Sequence, residues 1–496
     1  MNDSPSPKAT AYRWTPLKDI PADWRDLAST ELASLTPIWR EQSEKLRQFE
    51  GLKEFNTRLN REWAIETGLI EGLYSIDRGT TRLLIEQGID AALMPHGTTD
   101  KPAEQVVQIL RDQHDVVEGL FDFVKQKRDL STSYIKEMHA AFTRNQDTTT
   151  AVNGMGRLIE VPLLKGDYKQ HPNNPTRPDG QIHEYCPPEH VAAEMDRLIE
   201  FHKQHEEAGI PPEVEAAWLH HRFTQIHPFQ DGNGRVARAL ASLIFLRAGW
   251  FPLVIDRDMR RRYIETLEIA DNGGLQPLTE LFASTQRKAF TLALGISDDV
   301  LKQPTIASII SAAVQRLKAE QKISFENPAH QKVLVISKRL EALAFERFKD
   351  VSAELTNELR QVKGHFYARV DRDGHRTDTW YNRDLLEVAE VLNYLADPKS
   401  YRAWVHLYIM ENRISELVVS FHSVGSKFVG VLGASAFMVS RSIEGEARQA
   451  YYGPHKIGRD LFQFAFNEDP ENVESRFRTW LNDVLVTGLD HWRRQL

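Results

Sequence analysis

Ile226-His227-Pro228-Phe229-Gln230-Asp231-Gly232-Asn233-Gly234-Arg235-Val236-Ala237-Arg238 is the stretch from which the rest of the chain can be read. A helix ends near Ile226, because the residue before Pro228 is pushed out of the α region. A new helix begins within residues 231–234. Its first N–H groups lack intrahelical partners and carry the positive end of the dipole, which makes a cradle for an anion. Gly232 and Gly234 lower the barrier to phosphate approach and allow a positive φ. Arg235 and Arg238, three residues apart, share one helix face near that start. Two cations there oppose the usual dipole preference, and a negative ligand between them explains the arrangement. Asp231 offers a hard carboxylate for Mg2+, which takes one or two protein carboxylates together with substrate phosphates. Asn233 can donate its side-chain amide to a phosphoryl oxygen. His227, at the rim, suits general-base work near neutrality.

Helical periods flank this stretch on both sides. Pro211-Pro212 opens a helix carrying Ala217, Trp218, Phe223 and Ile226, and Leu240, Leu243, Ile244 and Leu246 run on to a capping Gly249. Val106, Val107, Leu110, Val116, Val117, Leu120, Phe121 and Val124 recur largely at spacings of three and four, and Ser131 caps a further helix start. Between Gly154 and Pro188 the period breaks at repeated prolines and glycines, so that region is loop with short strands. Residues 1–30 are extended. Beyond residue 300 the texture changes. Helical faces occupy Ile306–Glu320 and Gln331–Arg360. Strands follow at residues 365–370, ending at the Asp371–Gly374 turn, and a hairpin pairs residues 417–422 with 427–432 across Ser423–Ser426. A helix near 470–495 closes the chain.

The 496 residues include 62 Lys+Arg and 70 Asp+Glu, a net charge of −8. That length corresponds to about two to four domains, and the charge provides no global field for nucleic acid or an anionic membrane. One cysteine, Cys186, excludes a disulfide framework or a Cys-based zinc cluster and fits a reducing, cytoplasmic setting. The N-terminus is unlike a signal peptide, and no run of about 18 apolar residues suggests a membrane span.

His227-Pro228-Phe229-x-Asp231-Gly232-Asn233-Gly234-Arg235-x-x-Arg238 resembles the signature of the Fic-domain family at every specified position. The resemblance covers roughly residues 50–290. It implies an all-helical core that transfers the AMP moiety of ATP, with Mg2+, to a Ser, Thr or Tyr hydroxyl of a target protein. On that pattern His227 is the base and Asp231 binds Mg2+. Gly232, Asn233 and Gly234 hold the α-phosphate, Arg235 the β-phosphate and Arg238 the γ-phosphate. Gly234 fits the AMP-transferring pose, where kinase-like relatives tend to carry Lys. Tyr263 falls where relatives contact adenine, although a core tyrosine fits equally well.

Thr67-x-x-x-Glu71-Gly72 resembles the family's inhibitory motif in its N-terminal position. A Glu71 carboxylate on Arg238 would occupy the cation meant for the γ-phosphate, and Thr67 would help hold the inhibitory helix. A β-hairpin flap over residues 165–188, with Asp179-Gly180 at its tip, is expected to align the target by strand addition.

The expected fold is mainly α: a Fic core with a hairpin flap, then a C-terminal α+β region. The expected divisions are a lead-in at 1–50, a helical region with the inhibitory helix at 51–150, the core at 151–295, a helical linker at 296–363 and an α+β domain at 364–496. Expected partners are ATP and a hydroxyl-bearing protein, with self-modification and a homo-oligomer left open and neither nucleic acid nor membrane. AMP removal, transfer of another nucleotidyl or phosphoryl group, and nucleotide sensing by a regulatory protein remain alternatives.

Overall fold

In the computed structural model the described residues are 10–46, 50–152, 158–176, 180–295, 328–362, 364, 366–372, 379–410, 413–425, 428–442 and 451–496. The helix read over Ile306–Glu320, Asp179 at the flap tip, Asp373-Gly374 and Ser426-Lys427 lie outside them. The chain divides into two compact units: residues 1–29 with 53–286, and residues 30–52 with 287–496.

The helices, in chain order, are α1 (Thr30–Leu46), α2 (Glu50–Ile70), α3 (Arg78–Gln87), α4 (Ala103–Lys125), α5 (Thr132–Phe142), α6 (Pro188–Ala208), α7 (Pro212–Ile226), α8 (Asn233–Arg247), α9 (Arg260–Asp271), α10 (Gln276–Leu294), α11 (Pro328–Arg360), α12 (Thr379–Val391) and α13 (Pro470–Arg493). The strands are β1 (Thr10–Tyr12), β2 (Thr148–Val152), β3 (Leu158–Pro162), β4 (Ile182–His183), β5 (Tyr367–Arg372), β6 (Ala396–Met410), β7 (Arg413–Val424), β8 (Val431–Ser442) and β9 (Tyr451–Ala465). Mainly α followed by α+β is therefore the observed class.

In the first unit α7 and α8 are buried on nearly every face, Trp218, Phe223, Val236, Leu240 and Phe245 all being closed from solvent. This explains why neither shows a clean amphipathic stripe. Ser131 caps α5, its Oγ accepting from the Tyr134 N–H at 3.2 Å. The end of α2 turns sharply: Gly72 at φ 68° lets Leu73 N–H reach the Gly68 carbonyl and Gly72 N–H the Leu69 carbonyl. Those two bonds are the Schellman closure of a helix. It leaves Glu71 just beyond the last turn, with its carboxylate on Arg238.

Residues 10–29 are extended except for a 3-10 turn at Trp24–Leu27, and this segment is tied down. Leu17 is buried, its N–H donating to Glu194, and Trp218 Nε1 donates to the Lys18 carbonyl. The lead-in expected to reach residue 50 stops at Ser29, where α1 starts and the chain passes to the other unit. The helical pattern read from about residue 31 onward agrees with this start, and α1 continues through Pro37.

The second unit is built on an antiparallel sheet in the order β5-β6-β7-β8-β9. The anticipated hairpin is β7–β8, with Ser423 opposite Leu432. Leu407, Leu417 and Met438 sit side by side across three strands and face Val333, Ile336, Leu340 and Phe348 of α11 and Phe477, Leu481 and Val484 of α13. Helix α11, expected to be linker, is thus part of this core. Among the described residues no helix is long and apolar enough to cross a membrane.

Candidate active site

Four parts of the chain meet around a cavity of about 470 Å³: the end of α2, the segment carrying Asn173, Pro175, His183 and Tyr185, the loop from α7 to α8, and one face of α9 from Arg260 to Asp271. Glu71, His227, Asp231, Gly232, Asn233, Gly234, Arg238 and Tyr263 all line it. Residues far apart in sequence, from 71 to 263, are brought to one place.

His227 ends α7 in a left-handed conformation, φ 51° and ψ 57°. For a residue with a Cβ this stores of order 1–3 kcal/mol of strain and persists only where the surroundings over-determine it. Its Nδ1 donates to the Thr224 carbonyl at 3.2 Å, which assigns the tautomer and leaves the Nε2 lone pair as the acceptor. Tyr185 stacks on the ring at 3.7 Å. Burial, with Lys169 nearby, pushes His227 down to about 3, so the ring is neutral over the whole physiological range rather than poised near 6.5.

Gly232 precedes α8 at φ 80°, where a Cβ would meet Arg235, His139 and Thr143 at 3.2–3.3 Å. Asn233 and Gly234, the first residues of α8, line the cavity. Asp231, more than a third exposed, accepts from Gly232 N–H at 2.6 Å and from Gln146 Nε2. Among the described residues no three His, Cys, Asp or Glu side chains converge as a metal cage. Asp231 therefore fits an ion whose other ligands are substrate oxygens and water, as Mg2+ favours.

Two sequence expectations need correction. The Asn233 amide does not face the cavity: its Oδ1 accepts from Phe229 N–H at 2.9 Å and its Nδ2 donates to the Phe229 carbonyl at 2.7 Å. Its side chain closes the loop, leaving only the main-chain N–H for an anion. Arg235 is 2% exposed and does not line the cavity. It donates to the Phe142 carbonyl at 3.0 Å and to Gln146 Oε1 at 2.9 Å, fastening α5 to the loop. Sequence spacing placed Arg235 and Arg238 on one face, but neighbouring α5 claims the first of them.

Arg238 is 1% exposed and pairs with Glu71 Oε1 at 2.8 Å, while its Nη2 also donates to the Thr67 carbonyl at 3.1 Å. Thr67 therefore acts through its main chain. A Cβ on Gly234 would lie 2.4 Å from Glu71 Oε1, so the carboxylate rests directly on the start of α8. Tyr263 is 4% exposed, its hydroxyl against His220 Nε2 at 2.7 Å. It forms one wall of the cavity with its polar end turned into the core.

The flap is smaller than expected. β4 bridges Thr176 on one side and pairs in parallel with β1 on the other, Tyr12 opposite His183. Prolines at 172 and 175 restrict the other arm.

Several residues escaped sequence reading. His139 stacks on Phe229 at 3.8 Å and its Nε2 donates to the Asp231 carbonyl at 3.0 Å, burial holding it down to about 4. Gln146 bridges Asp231 and Arg235. Lys169 and Asn173 bind the catalytic loop from below the flap. Each lies outside the signature: His139 is on α5, where nothing in the helical period distinguishes it from a core residue, and the others are in loops without a period. Cys186 is buried and its thiol is pushed up to about 12, so it stays protonated.

Residues 129–245 match the Fic/DOC family. The chain is 31% identical over 135 residues to the protein adenylyltransferase Fic of Drosophila sechellia, 27% of each chain. It is 29% identical over 141 residues to that of Drosophila willistoni, 28% of each. It thus spans about a quarter of the length of these curated relatives. A Fic-domain-containing signalling protein of Bacteroides thetaiotaomicron aligns with 52% of this chain and 95% of its own, at 23% identity and a TM-score of 0.42.

Proposed function

We propose that the Fic domain of this chain transfers AMP from ATP to a hydroxyl of a protein, and that Glu71 restrains it. The observation that carries this reading is the cavity itself: a neutral His227, an anion cradle at the start of α8, and a buried Arg238 whose charge is taken by Glu71.

His227 Nε2 takes the proton of the acceptor hydroxyl. The freed oxygen bonds to the α-phosphorus, the bond from that phosphorus to the β-phosphate oxygen breaks, and pyrophosphate leaves. The N–H groups of Asn233 and Gly234 bear on the charge that builds up at the α-phosphate, that of Gly232 being taken by Asp231. Asp231 is the one residue of the loop suited to Mg2+, which supplies charge neutralisation along the polyphosphate. Arg238 holds the γ-phosphate once Glu71 withdraws. Arg235 acts as a brace for Asp231 through Gln146, and reaches phosphate only if its two hydrogen bonds to α5 and Gln146 open. Tyr263 serves as wall for the base of the nucleotide. A cytoplasmic setting rests on Cys186 being the one cysteine of the sequence, which leaves no disulfide framework to form within it.

While Glu71 holds Arg238, a γ-phosphate meets a carboxylate instead of a cation, and ATP loses its productive pose. Label transfer from α-labelled ATP tests both parts. Glu71→Gly is expected to raise transfer by more than about tenfold, one lost charge-assisted pair being roughly 1.5–3 kcal/mol, and His227→Ala to abolish it. A folded Glu71→Gly protein that labels neither itself nor any lysate protein would rule out AMP transfer. Release of AMP from a pre-labelled protein by the wild type, dependent on Glu71, would favour the reverse reaction.

A further inference from the structure

His227 occupies a conformation that only its neighbours can impose, and the bonds that impose it come from one short segment. Lys169 N–H donates to the Pro228 carbonyl at 2.8 Å, and Lys169 Nζ contacts the Ile226 carbonyl at 3.4 Å. Nζ also donates to Asn173 Oδ1 at 2.8 Å, and Asn173 Nδ2 donates to the Phe229 carbonyl at 2.8 Å. The carbonyls of residues 226, 228 and 229 are thus all held, on both sides of His227. A left-handed non-glycine residue needs such bracketing.

The Lys169 side chain is 4% exposed. Its hydrogen-bond acceptors are an amide and a carbonyl, and the Tyr185 ring lies 5.8 Å from Nζ. Tyr185 in turn covers the His227 imidazole. A cation held by neutral acceptors keeps its potential, whereas one paired with a carboxylate is cancelled. Among the described residues, Tyr185 stacks on His227 as a neutral phenol, and Lys169 and His183 are the groups whose charge opposes a proton there. Burial itself pushes Lys169 down to about 7, so the ammonium is complete only below neutral pH, the range in which a proton on His227 is at issue.

We infer that Lys169 is a positioning residue for the transfer: it fixes His227 in its left-handed conformation, and its charge adds to the burial that keeps Nε2 free of a proton. The inference rests on His227 being the base, and Lys169 itself touches no reacting atom.

The test uses the full chain with Glu71→Gly as parent, adding Lys169→Met, Lys169→Arg or Asn173→Ala. Transfer from α-labelled ATP, ATP affinity, and the His227 ring nitrogens followed by NMR from about pH 4 to 8 are measured, a window chosen around the ordinary histidine value. Lys169→Met is expected to lower the transfer rate at least about tenfold with ATP affinity within about twofold, the signature of an interaction that acts on the chemical step. Its His227 should begin to protonate within the window, while the parent's stays neutral. Lys169→Arg should restore most of both. Asn173→Ala, which removes the Phe229 bond and one of the two acceptors of Lys169 Nζ but leaves the amine in place, should slow transfer with a smaller change in the titration; it stands in if the methionine variant does not fold. A folded Lys169→Met protein with parental rate and parental titration would overturn the inference. Should the parent itself transfer nothing, the enzymatic reading falls, and the NMR titration alone still decides whether Lys169 guards His227.

Discussion

Gly68 faces the ring of Tyr74, and a Cβ there would come within 2.3 Å of its Oη. That hydroxyl donates to the Ile65 carbonyl at 2.9 Å inside a closed cluster with Ile76, Leu84 and Val106. Gly68→Ala is therefore expected to cost about 1–3 kcal/mol, as overpacking does, read as a lower denaturant midpoint. His227 and His139 make a second prediction. Both are held below 6.5, to about 3 and about 4, so below pH 6.5 the unfolded chain binds protons that the folded chain refuses. Stability then falls with pH from about 6.5 downward, and thermal melting between pH 7 and 5 is the measurement. His205 alone among the shifted histidines of the described residues moves upward and works the other way. Activity should have no acid limb near 6.5, since His227 does not titrate there. The sequence identified His227 as a base but not its value, because burial is set by Tyr185 and Lys169 from a loop about 40–60 residues away.

At the scale of elements, α2 is held by more than Glu71. Arg257 N–H and guanidinium bind the Glu66 carboxylate, with Nη2 at 3.0 Å and the main-chain N–H at 2.8 Å, and Arg257 also donates to Ile76 and Thr81. Arg260 Nε donates to the Ile70 carbonyl at 3.1 Å. Replacing Arg257 by Ala with Glu71 intact is expected to raise label transfer about fivefold or more, since couplings of about 1–3 kcal/mol shift populations by that much. Unchanged transfer in a folded variant would place the whole restraint on the Glu71–Arg238 pair. The flap carries a third expectation. Its one edge able to read a strand, β4, already holds β1, with Glu184 N–H donating to the Tyr12 carbonyl at 3.0 Å. Removing residues 1–11 from Glu71→Gly should raise labelling of lysate proteins and leave AMP release in their absence unchanged. The helices were legible from spacing and caps. The partner of β4 was not, because two-residue parallel pairing over some 170 residues leaves no local pattern.

For the whole molecule, the division into units is not the order of the chain. Helix α1 buries Leu32, Leu35 and Trp39, the last edge-on to Phe290 at 6.1 Å, and Glu31 pairs with both Arg287 and Arg476, the latter also holding Glu468. All of these belong to the second unit. A chain ended at residue 295 would leave that apolar face uncovered and is expected to aggregate. Removing residues 30–52 as well should lessen this, and light scattering of the two proteins compares them. A sequence reading that cuts at residue 296 misses this, because a helix does not record which distant strand it covers.

By itself the sequence determined the chemical inventory: the turn at Pro228, the glycine-framed helix start, the base, the carboxylate and the distant acid at Glu71. These follow from steric rules and spacings that act within a few residues. Tertiary structure decided which of them meet. It took Asn233 and Arg235 for scaffolding, seated Glu71 on Arg238, made His227 neutral, and put Lys169 behind it. Such outcomes depend on burial and on the neighbours each polar group can reach, and these are properties of the packed chain rather than of any stretch of it.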